Sequence, residues 1–426
     1  MTENPREVWI WPSSKPLPSP WLNALTSREG NQHGGQAFWQ AVSHRSCPVL
    51  ETMDGDPLGP LHLTFLWRGE AHSYPWLIGG PSVDHLPLWQ IEGSDIWFRS
   101  LPVPSDLVLA YRFAQIPPPK TKTQEAFRAA VRQSLTPDPL NPNVLHGAWQ
   151  GHQEAFSTLE LPRGKEQGLT ALPGADGLGE SHRFAFNSRF LNVTRDIYIQ
   201  APPSDLVQKD PQRLLFLLDG ERCEQVMQLP AHLAAAQISG QIPATTVVYV
   251  GAGRGLTRAQ ELGCNPAFAR ALTGELLPRV EQVLGRSFLP AQTQISGASL
   301  GGLAALHAAL LFPDRFQQVV ALSGAFWWPL PAEQGGDAGP DNQVVQRFEK
   351  SVIEARAGLQ DLRVRLSVGR YETGGLFGSP DMVKGARRVA KHLNASGAEV
   401  GFSVRSGGHD PALWRHCLLQ DLMSLS

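Results

Sequence analysis

The sequence predicts an α/β domain over residues 183–426, preceded by a smaller all-β sandwich domain over residues 1–160. From about Ser181 onward, strand-like apolar runs alternate with helical stretches, the signature of a sheet covered by helices. Before residue 160, short β-like runs stand between Pro and Gly turns: Leu61–Trp67, Ile96–Arg99 and Leu107–Phe113. The stretch between, from Pro162-Arg163-Gly164 to Gly177-Leu178-Gly179, is irregular and reads as a linker over residues 161–182.

Composition sets the outer bounds. A chain of 426 residues is long enough for two domains and a sizeable core. The early region is rich in aromatic bulk, holding nine of the 12 tryptophans, Trp9 through Trp149. Lys plus Arg total 37 against 39 Asp plus Glu, so no bulk charge points to nucleic acid or to a membrane surface. Cys47, Cys223, Cys264 and Cys417 show no C-x-x-C spacing, which argues against a disulfide framework and against a zinc or iron–sulfur site. Met1–Glu7 carries no apolar signal region, and no apolar run of about 20 residues occurs. The expectation is a soluble cytoplasmic protein. Nothing in the sequence fixes an oligomeric state.

The chemistry concentrates at Thr293-Gln294-Ile295-Ser296-Gly297-Ala298-Ser299-Leu300-Gly301-Gly302. This reads as a strand entering a G-x-S-x-G turn, with a helix from Leu303 to Leu310 directly after. Small residues let the chain turn sharply and expose the Ser299 hydroxyl. The free N–H groups of the helix N-terminus then face any oxyanion formed there. Alone the pattern is weak, since Gly, Ser and Ala recur in plain turns. Its strand-before, helix-after context and a histidine far downstream give it weight.

A serine hydroxyl needs a base within hydrogen-bond reach. In the α/β-hydrolase order the acid and then the histidine follow the serine, each on a loop after a later strand. The strand Leu362–Val368 is followed by Gly369-Arg370-Tyr371-Glu372, and Val400–Arg405 by Ser406-Gly407-Gly408-His409-Asp410. His409 is therefore the candidate base, placed just before a helix starting near Pro411. Glu372 is the preferred acid. Asp381 is the competitor, although it resembles the N-cap of a helix from Met382 to Leu393, while Asp410 would point the wrong way. The oxyanion donors are expected to be the backbone N–H of Leu300 and one at Gly220 or Glu221, in the turn after the strand Arg213–Leu218.

One glycine loop competes for another role. Thr245–Val250 runs into Gly251-Ala252-Gly253-Arg254-Gly255, but Leu256 stands where a dinucleotide fingerprint needs its last glycine. The next helical pattern begins only near Pro266. A strand-end loop beside an active site is the better reading.

With these residues in place, the chain resembles the enterochelin (ferric-enterobactin) esterases. The resemblance runs from about residue 60 to the C-terminus. In the first domain it is carried by Leu63-Thr64-Phe65-Leu66-Trp67-Arg68, Gly93-Ser94-Asp95-Ile96-Trp97 and Asp138-Pro139-Leu140-Asn141-Pro142. In the second it is carried by Leu217-Leu218-Asp219-Gly220-Glu221, Arg258 to Asn265, Gly297 to Gly302, Ser323-Gly324-Ala325-Phe326-Trp327-Trp328-Pro329 and Gly407-Gly408-His409-Asp410. The resemblance implies that Ser299, His409 and Glu372 are catalytic. There is one departure: where that family has an aromatic pair ending in Trp, Arg222-Cys223 follow Glu221 here.

The family's substrate is a cyclic trilactone of serine bearing dihydroxybenzoyl arms, anionic and aromatic as its ferric complex. The resemblance therefore implies a small-molecule catecholate siderophore as partner. No cofactor is implied, because iron enters only as part of the substrate. Such a ligand calls for Arg and Trp, and Arg258, Arg195, Trp327, Trp328 and Trp414 are the expected contacts. A loop near Trp149 or Trp97 is expected to bring the first domain over the site, and Lys384, Arg387, Arg388 and Lys391 form a solvated helix face. Two rival expectations remain: a carboxylesterase for feruloyl or acetyl esters on the same scaffold, and a siderophore-binding protein that never hydrolyses.

Overall fold

The computed structural model describes residues 19–28, 34–70, 72–116, 124–166, 178–207, 212–328, 359–375 and 380–426. Most of the expected linker, 167–177, and Pro329 lie outside the described residues. Within that linker the residues Pro162–Glu166 form a short helix.

Among the described residues the first region contains nine strands: β1 Val49–Thr52, β2 Leu61–Arg68, β3 Pro75–Ile78, β4 Leu86–Pro87, β5 Trp89–Gln90, β6 Ile96–Val103, β7 Val108–Gln115, β8 Val144–Trp149 and β9 His152–Glu160. They form a four-stranded sheet, β1-β2-β6-β5, and a five-stranded sheet, β4-β3-β7-β9-β8. The two-residue strand period explains how they pack. Leu61, Leu63, Phe65 and Trp67 of β2 interdigitate with Leu109, Tyr111 and Phe113 of β7 to make the sandwich core. The next residues along each strand face outward and must be covered by something else. Leu66 and Phe98 are covered by the helices Pro20–Arg28 and Gly34–Ser43. Trp76 and Ala114 are covered by the helix Gln124–Ser134. The sandwich is thus not bare β. Among the described residues it carries these three helices, which the strand pattern did not announce.

The second region is built on β10 Ser181–Ser188, β11 Val193–Gln200, β12 Arg213–Leu218, β13 Thr245–Val250, β14 Thr293–Ala298, β15 Gln318–Leu322, β16 Arg363–Gly369 and β17 Glu399–Arg405. These lie in one sheet in the order β10-β11-β13-β12-β14-β15-β16-β17. The first two pairings are antiparallel and every later one is parallel. This is an α/β-hydrolase sheet. Its central strands β12, β13 and β15 are largely apolar because both faces are covered. Phe216, Val248, Ile295 and Val319 face a core built with the helices Pro266–Ala271, Leu300–Leu311 and Met382–Ala395. Leu215, Leu217, Val247 and Tyr249 face the opposite core, with the helices Leu229–Ile238 and Pro411–Met423.

That opposite core also contains Val108, Ala110, Leu145 and Phe156 of the sandwich. The alternate face of β7 is therefore shared with the catalytic sheet, and one apolar cluster joins the two regions. Hydrogen bonds reinforce the junction, among them Val108 N–H donating to Ser406 O at 2.9 Å and Ala110 N–H donating to Asp410 Oδ1 at 2.9 Å. Among the described residues, no helix is long and apolar enough to cross a membrane.

One local expectation is corrected. A helix, Leu256–Leu262, does follow the 251–255 loop directly. The N–H groups of the loop's glycines are nonetheless taken by neighbouring elements: Gly251 donates to Asp196 O at 3.1 Å, Gly253 to Glu261 Oε2 at 3.0 Å and Gly255 to Gln150 Oε1 at 3.4 Å.

Candidate active site

The carboxyl ends of β14, β16 and β17 place Ser299, Glu372 and His409 at one edge of the sheet, where ligands of open α/β sheets bind. Ser299 sits between β14 and the helix Leu300–Leu311 with φ 58° and ψ −120°. Side-chain-bearing residues rarely adopt this conformation, at a cost of about 1–3 kcal/mol. Its neighbours hold it there. Ser299 N–H donates to Leu322 O at 2.9 Å, and Ala325 N–H donates back to Ser299 O at 3.0 Å. The glycine two residues before it is a steric necessity, because a Cβ on Gly297 would lie 2.5 Å from the Gly301 carbonyl carbon. Leu300 is the first helical residue, so its N–H has no partner within the helix.

His409 follows β17 with its side chain 42 % exposed, while the Glu372 side chain is only 3 % exposed. His409 Nδ1 lies 2.6 Å from Glu372 Oε2. The other carboxylate oxygen is fully used: Oε1 accepts from Ser323 Oγ at 2.6 Å and from Gly369 N–H at 2.7 Å. Ser323 Oγ in turn accepts from Trp414 Nε1 at 3.0 Å. The Trp414 ring meets the imidazole edge-on, with centroids 4.8 Å apart and planes at 88°. Imidazole, carboxylate and indole thus form one braced unit. With the carboxylate as acceptor, the proton sits on Nδ1 and leaves Nε2 able to take another.

The competing carboxylates are engaged elsewhere. Asp381 Oδ1 accepts from Lys384 N–H at 2.8 Å as the N-cap of the helix Met382–Ala395. Asp410 Oδ1 accepts from the N–H groups of Ala110, Ala412 and Leu413. Burial pushes the Asp410 carboxyl up to about 7. Asp410 therefore holds the His409 loop to the sandwich instead of facing the imidazole.

Ser299, Glu372 and His409 line a single cavity of about 450 Å³. Trp327 lines it as expected, with its Nε1–H donating to Met382 Sδ at 3.1 Å. Several other expected contacts do not. Trp328 packs beneath the wall, its ring edge close against Gly263. Trp414 is buried behind His409. Arg258 is turned away: its Nε and Nη2 donate to both oxygens of Asp219, at 2.6 and 2.5 Å. Arg195 is paired with Glu261. Both arginines answer buried carboxylates, which a lone sequence position cannot reveal.

The Asp219–Arg258 pair has its own consequence. Asp219 opens the turn after β12 with φ 57°, and its carboxylate packs against Gly301 of the nucleophile helix. Gly220 and Glu221 themselves line a neighbouring cleft of about 390 Å³ instead of the Ser299 cavity. Arg222, at the position of the family departure, is ion-paired with Glu154. Its guanidinium lies 4.2 Å from the Trp149 ring and 5.0 Å from that of Trp414.

The sandwich contributes to the cavity by residues other than the expected Trp149 and Trp97. Trp97 is buried in the sandwich core, its Nε1–H donating to Gly69 O at 3.1 Å. The cavity wall comes instead from Ile78–Gly80, His85, Ala110, Arg112 and Phe156. Sequence reasoning missed these residues and Ser323. Ser323 could have been found, since it directly follows β15 at the same sheet edge as the other groups. Arg112 could not, because it looks like any polar residue of a β-strand.

Residues 188–425 match the family described as "Putative esterase", and residues 62–168 match the family "Enterochelin esterase, N-terminal". The chain is 29 % identical to the iron(III) enterobactin esterase of Dickeya dadantii, covering 91 % of this chain and 92 % of that protein. It is 26 % identical to the iron(III) enterobactin esterase of Escherichia coli K12, covering 92 % and 96 %. The crystal structure of ferric enterobactin esterase from Salmonella typhimurium superposes with a TM-score of 0.71 at 26 % identity, covering 92 % of this chain and 98 % of that one. With the esterase match spanning more than half of its length and the N-terminal match ahead of it, this protein belongs to the enterochelin esterase family.

Proposed function

We propose that this protein is a serine carboxylic ester hydrolase that opens the trilactone of enterobactin-type catecholate siderophores, releasing dihydroxybenzoylserine units. The observation that carries the reading is the Glu372–His409 pair sharing one cavity with the strained Ser299. Family membership supplies the substrate class.

In the mechanism, His409 Nε2 takes the Ser299 proton as the hydroxyl oxygen attacks a lactone carbonyl. Glu372 keeps the other ring nitrogen protonated and stabilises the imidazolium. The oxyanion is received by Leu300 N–H at the start of the nucleophile helix, against which the Asp219–Arg258 pair packs. His409 then protonates the departing serine hydroxyl, the C–O bond breaks, and water clears the acyl-enzyme by the same route. Opening the ring lowers the effective concentration of the three catecholate arms around iron and so loosens the metal. Iron is cargo here and needs no ligand from the protein. On this reading the enzyme works in the cytoplasm, where released iron is used.

The test is chromatography of products from ferric and iron-free enterobactin with wild type and Ser299→Ala. Wild type should yield linear and monomeric products. The variant should yield none above the uncatalysed rate while still binding the ferric complex. Product formation by Ser299→Ala at the wild-type rate would remove the serine mechanism. Tight binding without hydrolysis by wild type would favour a carrier.

A further inference from the structure

The cavity lacks the cations that the sequence suggested, since Arg258 and Arg195 are held by Asp219 and Glu261. Among the described residues lining it, Arg112 is the one arginine or lysine. Arg112 lies on β7 between the core residues Tyr111 and Phe113, and strand alternation turns it to the face shared with Val108 and Ala110. Among the described residues Arg112 forms no ion pair; the charge of Glu154 reaches it, but that carboxylate is ion-paired with Arg222. The two acids on the cavity wall are committed, Glu372 to His409 and Asp410 to backbone N–H groups. The Arg112 guanidinium carbon instead stands 4.2 Å from the centroid of the Phe156 ring, which also lines the cavity. His85, on the same wall, adds no charge near neutral pH, because burial and the nearby Arg112 and Arg128 push it down to about 4.

A half-buried guanidinium backed by an aromatic ring, lining an open cavity and with no carboxylate in ion-pair contact among the described residues, is prepared for a planar anionic group. Arg cannot escape the cost of burial by losing its proton. We propose that Arg112 is the specificity-determining cation of this site, and that the sandwich domain thereby receives an ionised aromatic arm of the ester substrate. This rests on the esterase reading for its catalytic meaning but not for its binding meaning. It gives the sandwich a role in choosing the substrate, in addition to holding the His409 loop.

The test uses the full chain and two p-nitrophenyl benzoate esters that differ only in a ring carboxylate or its isosteric carboxamide. Wild type should prefer the carboxylate ester. Arg112→Met should lower the ratio of kcat/KM values, charged over neutral, by about ten- to a hundredfold, chiefly through KM. Arg112→Lys should restore part of the ratio, which a merely structural role would not explain. An unchanged ratio in Arg112→Met overturns the inference and leaves the esterase reading standing. Binding of the ferric trilactone to Ser299→Ala, with and without Arg112→Met, separates the two ideas even if wild type hydrolyses neither ester. A Kd weakened at least about tenfold supports the anion site, and an equal Kd removes it.

Discussion

Replacing Glu372 by Gln isolates the electronic part of the His409 contact from its packing. The amide is isosteric, and one of its ends has no freedom. Gly369 N–H and Ser323 O–H both donate to Oε1, at 2.7 and 2.6 Å, so the carbonyl oxygen must remain there. The amide nitrogen then faces His409 Nδ1, where the carboxylate oxygen had stood at 2.6 Å. An N–H donor at that place forces Nδ1 to accept, which moves the ring proton to Nε2. Nε2 can then no longer take the serine proton, and a wrong tautomer of this kind costs about 10⁴ in kcat. That is about 5 kcal/mol of barrier. Because both Oε1 bonds survive, unfolding stability should change by less than about 1 kcal/mol. Glu372→Ala strips acceptors from two buried donors and should also destabilise the fold, by about 1–3 kcal/mol per orphaned group. The assay is steady-state ester hydrolysis alongside thermal unfolding of the three proteins. If Glu372→Gln keeps kcat within about tenfold of wild type, the carboxylate does not set the tautomer and the argument fails.

Three further outcomes follow from the same contacts. Gly297→Ala should destabilise by about 1–3 kcal/mol and depress kcat, because its Cβ would meet the Gly301 carbonyl carbon at 2.5 Å; unchanged unfolding and activity would show that the turn can yield. Arg258→Met leaves Asp219 buried and unpaired, with an expected loss of about 3–5 kcal/mol in urea unfolding and a fall in kcat as the turn after β12 relaxes. Asp138 has its carboxyl raised to about 6 by burial, although Tyr111 O–H donates to it. Since its folded pKa exceeds the unfolded value of about 3.8, the native state binds more protons between those limits, and this contribution to stability is lost as pH rises from about 4 to 6. Asp138→Asn should remove that loss, so its stability relative to wild type should improve between pH 4 and pH 7 by the order of 1–3 kcal/mol. Parallel stability–pH curves for the two proteins would refute the burial argument.

The sequence made some of this legible because the signals are local. Sheet strands buried on both faces read as apolar runs, and the nucleophile turn requires Gly297 because the backbone of Gly301, four residues on, comes too close for a side chain. His409 and Glu372 could be named as candidates because each falls on the loop closing a late strand. The cation assignments failed for an equally physical reason. Whether an arginine is available to a ligand depends on which carboxylate packs against it. Asp219 is 39 positions from Arg258 in the chain, and Glu261 is 66 from Arg195.

By itself, then, the sequence determined the α/β scaffold, the sharp serine turn and the small set of groups able to act on it, since backbone geometry and strand period depend on neighbours along the chain. Only the tertiary structure decided that Glu372 and not Asp381 meets the imidazole, and that Asp410 fastens its loop to the sandwich. It also decided that Arg112, on a strand of the other region, faces the cavity without an ion-pair partner among the described residues. Those outcomes depend on burial and on contacts between distant segments, where the desolvation of each charge is settled by whichever partner the fold delivers.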